Sequence, residues 1–195
     1  MVSAGMNRRE AVAELLAADP EALVVTGLGS PAYDVHAAGD ADRNYYLWGA
    51  MGGAALMGFG LAQAQPEKRV MVVTGDGEML MAFGALATIA ISNVRNLDII
   101  VLDNGHYGET GMQMSHTGRG VDLAAVASAA GFPETGVLTE QSEVAGLCAR
   151  LAKPAKGPRL FVLKVKAEPL PRSLPSRDAT YIKNRFRAHL GLVPN

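Results

Sequence analysis

Two short motifs, Gly75-Asp76-Gly77 and Asn104-Gly105, each follow an apolar run, and each carries an oxygen ligand at the point where a strand should end. Glycines on both sides of an acid let the chain turn sharply while its backbone N–H groups face an anion. The helix expected from Glu78 adds the positive end of its dipole. Asn104 offers an amide oxygen and free backbone carbonyls in the same setting. A carboxylate, an amide and a carbonyl are hard donors, suited to Mg²⁺ or Ca²⁺ and unsuited to zinc. Each motif alone is an ordinary turn signal; paired across a strand–helix–strand unit, they become specific.

The elements that must position them are legible from apolar spacing. Helices are expected over Asn7–Ala18, Glu78–Ala90, Asp122–Ala130 and Glu140–Leu151, with a basic amphipathic helix in "RDATYIKNRFRAHLGL". "EALVVTG", "RVMVVTG", "LDIIVLDNG" and "RLFVLKV" read as short buried strands, "LGSPAYD" as a turn-rich loop, and "EPLPRSLPSRD" as a proline-rich connector. Strands alternating with helices predict an α/β fold, a parallel sheet with helices on both faces. Ligands of such sheets sit beyond the carboxyl ends of the strands, which is where Asp76 and Asn104 fall.

At 195 residues, 49% apolar and 19% charged, the chain reads as one domain over 1–195. A net charge of −1 gives no footprint for nucleic acid. The single Cys148 sits in a helical pattern and reads as a small buried hydrophobe in a reducing, cytoplasmic setting. The start, "MVSAGMNRREAVAELL", reads as a charged amphipathic helix and not a signal peptide. The uncharged stretch Tyr45–Gln65 has the length of a membrane span, but its glycines at 49, 52, 53, 58 and 60 and the lack of a basic flank favour a buried helix.

The spacing of Asp76 and Asn104 resembles the GDG…N signature of thiamine diphosphate enzymes. The resemblance covers nearly the whole chain as their diphosphate-binding (PP) domain. It implies that Asp76, Asn104 and the backbone carbonyl of His106 hold Mg²⁺ against the diphosphate, with Gly75, Gly77, Glu78, Tyr107 and Gly108 lining the same site. "TGLGSP" then becomes the first phosphate-side loop, with Gly29 and Ser30. "GAMG" at 49–52 resembles the place where decarboxylases and acetolactate synthases wedge the cofactor into its V shape. That implies an apolar support in Met51 and a carbonyl acceptor for the aminopyrimidine in Gly49.

Within the superfamily, "LDNGHYGETGMQMSHT" is most similar to the β subunit of sulfopyruvate decarboxylase and to phosphonopyruvate decarboxylase. Those relatives tend to read Ser-Thr-Gly-x-Gln where this chain has Glu109-Thr110-Gly111-Met112-Gln113. A fixed negative charge there repels a sulfonate or phosphonate unless arginine compensates, and Arg119 and Arg172 are candidates. The resemblance implies decarboxylation of a small 2-oxo acid to an aldehyde and CO₂, with Glu109 or His116 as acid–base group. It also implies a partner subunit carrying the pyrimidine-binding (PYR) domain and its activating glutamate, in an α₂β₂ or larger assembly. The glycine-rich stretch and the basic C-terminal helix are candidate interfaces. A split carboligase of the acetolactate synthase type and a non-catalytic cofactor-binding subunit stay open. A ferredoxin-linked oxidoreductase is disfavoured, because those β subunits usually carry cluster cysteines.

Overall fold

Uninterrupted runs of Val, Ile and Leu leave a strand no polar face to offer water, so both its faces must be covered. In the computed structural model, which describes residues 5–92 and 94–192, they form a six-stranded parallel sheet. Residues 1–4 of the expected N-terminal helix lie outside the described residues. The strands β1 (Leu23–Thr26), β2 (Asn44–Tyr46), β3 (Val70–Gly75) and β4 (Leu97–Asp103) precede a two-stranded hairpin, β5 (His106–Tyr107) and β6 (Gln113–Met114). The strands β7 (Glu134–Leu138) and β8 (Arg159–Lys164) complete the sheet, in the order β2-β1-β3-β4-β8-β7.

Helices α1 (Arg8–Ala18), α2 (Ser30–Ala37) and α7 (Val144–Leu151) cover one face, packing Val12, Leu15, Val35 and Leu147 on Val73, Ile100 and Phe161. On the other face lie α3 (Ala54–Ala64), α4 (Asp76–Met81), α5 (Ala85–Ala90) and α6 (Leu123–Ala130). Their Ala62, Met79, Ile89 and Ala127 pack on Val72, Ile99 and Val101. The last helix, α8 (Ala179–His189), puts Ile182 into the first layer and Phe186 into the second, and so lies along the edge strand β2. Caps set several starts: Asn7 accepts from the N–H groups of Arg9 and Glu10, Asp122 from Ala125 and Asp178 from Tyr181.

The fold class agrees with the sequence reading; several elements do not. "LGSPAYD" is not a loop but the start of α2, because Pro31 in the first turn is pre-set for a helix and loses no bond there. The expected helix Glu78–Ala90 breaks into α4 and α5, with tight turns at Ala82 and Phe83 accepting from Ala85 and Leu86. The stretch 45–65 is half strand, loop and an 11-residue helix, α3. One face of α3 is buried while Leu56 and Met57 stay exposed, so it is not a wholly buried helix. Gly58 serves its packing on the sheet, since a Cβ there would lie 2.1 Å from Val72 Cγ2. Cys148 is half-buried rather than buried, at the rim of the first layer. Among the described residues, no helix is long and apolar enough to cross a membrane.

Candidate functional site

The connection from β1 runs outward to β2, and the chain then returns to place β3 on the other side of β1. At such a switch point the loops diverge and leave a crevice beyond the strand ends. Here it is a cavity of about 270 Å³. Its walls come from Leu28–Pro31 after β1, Gly75–Glu78 after β3 and Asn104 with His106–Thr110 after β4, closed by Met51, Leu102 and Val165. Gly29, Ser30, Met51, Gly75, Asp76, Gly77, Glu78, Asn104, His106, Tyr107, Gly108 and Glu109 thus converge. Gly49 and His116 do not line the cavity; Gly49 is exposed two residues before Met51.

Asp76 opens α4 and is buried at 3% exposure. Its Oδ2 accepts from Ser115 Oγ and from Thr117 Oγ1 at 2.9 Å, and the residue forms part of the cavity wall. Thr117 Oγ1 also lies 2.7 Å from Asp103 Oδ1, whose second oxygen receives the Lys164 ammonium. Burial pushes the Asp76 carboxyl above its ordinary range; donation from Ser115 opposes this and the charge of Asp103 adds to it. Asn104 Oδ1 accepts from the His106 N–H at 2.9 Å, and its backbone carbonyl accepts from His106 Nδ1 at 2.8 Å. That pair of bonds fixes the turn carrying the His106 carbonyl. The donors offered are a carboxylate, an amide and a carbonyl, all oxygen, so the residues fit a hard divalent cation with phosphate oxygens. Among the described residues, no cluster of three His, Cys, Asp or Glu side chains competes as a metal site.

Glu78 borders the cavity, yet its carboxylate is turned into the protein. It accepts from Thr74 Oγ1 at 3.0 Å, from Ala54 N at 3.3 Å and from the backbone of Gly52 and Leu28. Burial raises its pKa. The carboxylate occupies the space a side chain at residue 27 would need, since a Cβ on Gly27 would fall 1.4 Å from Glu78 Oε2. Glu78 therefore joins the loop after β1 to the loop that carries Met51, and supplies the cap that Gly53 cannot give α3.

Met51 and Tyr107 meet over Gly77: a Cβ there would stand 2.8 Å from the Tyr107 ring and 3.7 Å from Met51 Cε. Tyr107 Oη bonds His116 Nδ1 at 3.2 Å, so His116 reaches the cavity only through the tyrosine. At the opposite rim, Glu109 Oε2 accepts from Arg172 Nη2 at 3.1 Å. Arg119 lines neither the cavity nor this rim.

Sequence reasoning missed Ser115, Thr117, Asp103 and Lys164. The hint was the spacing Ser115-x-Thr117, whose two hydroxyls turn inward between exposed neighbours. It also missed Gly27, whose need is apparent only once Glu78 folds back.

Residues 31–164 match the model of the "Thiamine pyrophosphate enzyme, C-terminal TPP binding domain" family. The chain is 38% identical over 110 residues to the sulfopyruvate decarboxylase subunit beta of Methanocaldococcus jannaschii, covering 56% of this chain and 58% of that one. It is 36% identical over 194 residues to the phosphonopyruvate decarboxylase of Streptomyces viridochromogenes, covering 96% of this chain and 47% of that one. The chain thus spans about half the length of these curated relatives. Among solved structures, it resembles the thiamine diphosphate-dependent 4-hydroxybenzoylformate decarboxylase of Rhodococcus jostii RHA1, with a TM-score of 0.68 at 22% identity. That match covers 85% of this chain and 34% of that one.

Proposed function

Because the chain belongs to the thiamine pyrophosphate enzymes by its C-terminal TPP binding domain, we propose that it is the PP-domain subunit of a split, Mg²⁺-dependent 2-oxo acid decarboxylase. The substrate is a small sulfopyruvate- or phosphonopyruvate-like acid, and the products are an aldehyde and CO₂. The observation that carries this reading is the meeting of Asp76, Asn104 and the His106 turn at one cavity that Met51 also lines.

When bound, the cofactor supplies the electron sink that lets CO₂ leave a 2-oxo acid. The chain's own residues do the rest. Asp76 Oδ1, Asn104 and the His106 carbonyl would hold Mg²⁺. Met51, braced by Tyr107, would support the thiazolium face, and Gly49 would offer its carbonyl to the aminopyrimidine. Leu28, Pro31, Leu102 and Val165 keep that wall dry. His116, hydrogen-bonded to Tyr107, is placed to hold a proton near the mouth, and Glu109 is the second acid–base candidate. The Streptomyces relative is a single chain about twice as long, and the Methanocaldococcus relative is called a subunit. Both support a partner subunit; in our reading it brings the PYR domain, in an α₂β₂ or larger assembly working in the cytoplasm.

Co-purification of the tagged chain with Mg²⁺ and thiamine diphosphate tests the reading. A stoichiometric partner, together with CO₂ release from sulfopyruvate or phosphonopyruvate by the complex, is expected. A ligated product with a second carbonyl acceptor would move the assignment to a carboligase. A complex that binds cofactor but turns over no 2-oxo acid would leave a non-catalytic subunit.

A further inference from the structure

We propose that Glu109 is a built-in stand-in for the terminal phosphate of the cofactor, and that Arg172 passes from Glu109 to that phosphate on binding. The inference rests on the thiamine diphosphate reading above. Glu109 lies over the entrance of α2: a Cβ on Gly29 would stand 3.0 Å from Glu109 Cγ and 3.3 Å from Oε1. Gly29 caps that eight-residue helix without any side-chain bond, so its positive end has no capping group of its own and the Glu109 carboxylate lies beside it. The second carboxylate oxygen takes the Arg172 guanidinium at 3.1 Å.

The place matters as much as the pairing. A second cavity of about 220 Å³, lined by Arg172, Tyr33 and Leu170, adjoins the first at Arg8, Ser30, Asn104, Gly108 and Glu109. Met51 borders the first cavity alone. Arg172 thus opens on a cavity that shares Asn104 and the entrance of α2 with the first. Its backbone is pinned on both sides: Arg8 and Arg9 donate to the carbonyls of Glu168 and Pro171, and Ser173 bonds His36 at 2.7 Å. Its side chain is more than half exposed, as is much of Glu109, and ion pairs of that kind are weak and readily exchanged. A diphosphate bearing more charge than a carboxylate wins the same guanidinium.

The test is calorimetric titration of the full chain with three probes: Mg²⁺–thiamine diphosphate, Mg²⁺–pyrophosphate and unphosphorylated thiamine. Glu109→Gln should tighten both diphosphates, by about three- to tenfold, and Arg172→Gln should weaken them by a similar factor. Thiamine should respond to neither change. Opposite signs for the two partners are what a merely structural ion pair would not give. Wild-type binding with unchanged or weakened affinity in Glu109→Gln overturns the stand-in. Turnover lost in the assembled Glu109→Gln enzyme at unchanged cofactor affinity would make Glu109 an acid–base group instead. Wild-type protein that binds neither diphosphate, alone or with its co-purified partner, overturns the cofactor reading itself.

Discussion

The hydroxyl of Thr117 lies 2.9 Å from Asp76 Oδ2 and 2.7 Å from Asp103 Oδ1, so one side chain faces the carboxylates at the ends of two adjacent strands. Ser115 Oγ is 2.9 Å from Thr117 Oγ1 and donates to the same Asp76 oxygen. Four close contacts share two hydroxyl protons. Removing one leaves a buried carboxylate oxygen short of a donor. Thr117→Val should therefore cost about 1–3 kcal/mol in urea unfolding without Mg²⁺. It should also loosen the cation, because Asp76 is no longer held; metal-dependent cofactor titration checks this.

Asp76→Ala and Asn104→Ala each delete an oxygen donor. Mg²⁺-dependent binding of thiamine diphosphate should fall by at least about a hundredfold, a loss larger than support residues usually give. The fold should persist, since Asp76 is a desolvated charge beside Asp103 rather than a packing group. Unchanged affinity in a folded Asp76→Ala protein would show that the metal lies elsewhere.

Gly27→Ala places a methyl where Glu78 Oε2 now sits. The carboxylate must leave, and with it go the bonds to Thr74, Ala54, Gly52 and Leu28. A loss of about 3 kcal/mol or more is expected, the range for breaking a buried polar network. The loop 49–53 should then become the first site of limited proteolysis, while Gly60→Ala, in the interior of α3 with open space around it, should leave that loop protected and raise stability by about 0.5–1 kcal/mol.

Burial raises the carboxyls of Asp76 and Glu78. Their protonated forms are favoured by folding, so their share of stability is full below about pH 4 and is lost as pH climbs through the raised folded values. Glu78→Gln should therefore flatten the fall in Tm on that rise. Mg²⁺ with cofactor should cancel the share of Asp76, because a bound cation favours its charged form. Melting curves between pH 4 and pH 8, with and without Mg²⁺, decide both points.

What the sequence shows and what it hides follow from the range of the forces. The strands β3 and β4 are continuous apolar runs, and the motifs at their ends carry their chemistry in their own residue types. Strand β2 is three residues long and β7 carries Glu134, Thr135 and Gly136, so neither has the apolar run that marks a strand; each is stabilised by a single neighbour in the sheet. The break at Ala82–Gly84 in the expected helix falls on an exposed Phe83-Gly84 pair, across which the apolar periodicity continues unbroken. Ser115 and Thr117 lie 39 and 41 residues from Asp76, and only the hairpin β5–β6 brings them back beneath it. Glu78 gave no sign that it faces inward, since an acid in a first turn is ordinary on a surface helix.

The thioethers at Met51 and Met81 have a chemical consequence of their own. The two residues are neighbours, for Gly52 lies against Met81 Cβ, and they are 44% and 63% exposed. Sulfur so open to water is readily converted by peroxide to a polar sulfoxide. At Met51 that would turn the apolar support of the cavity into a hydrogen-bond acceptor. An oxidant pulse should therefore mark these two positions, and peptide mapping of the 16-dalton mass increments it leaves (about one per sulfur oxidised) would tell them from other exposed methionines, Met57, Met112 and Met114.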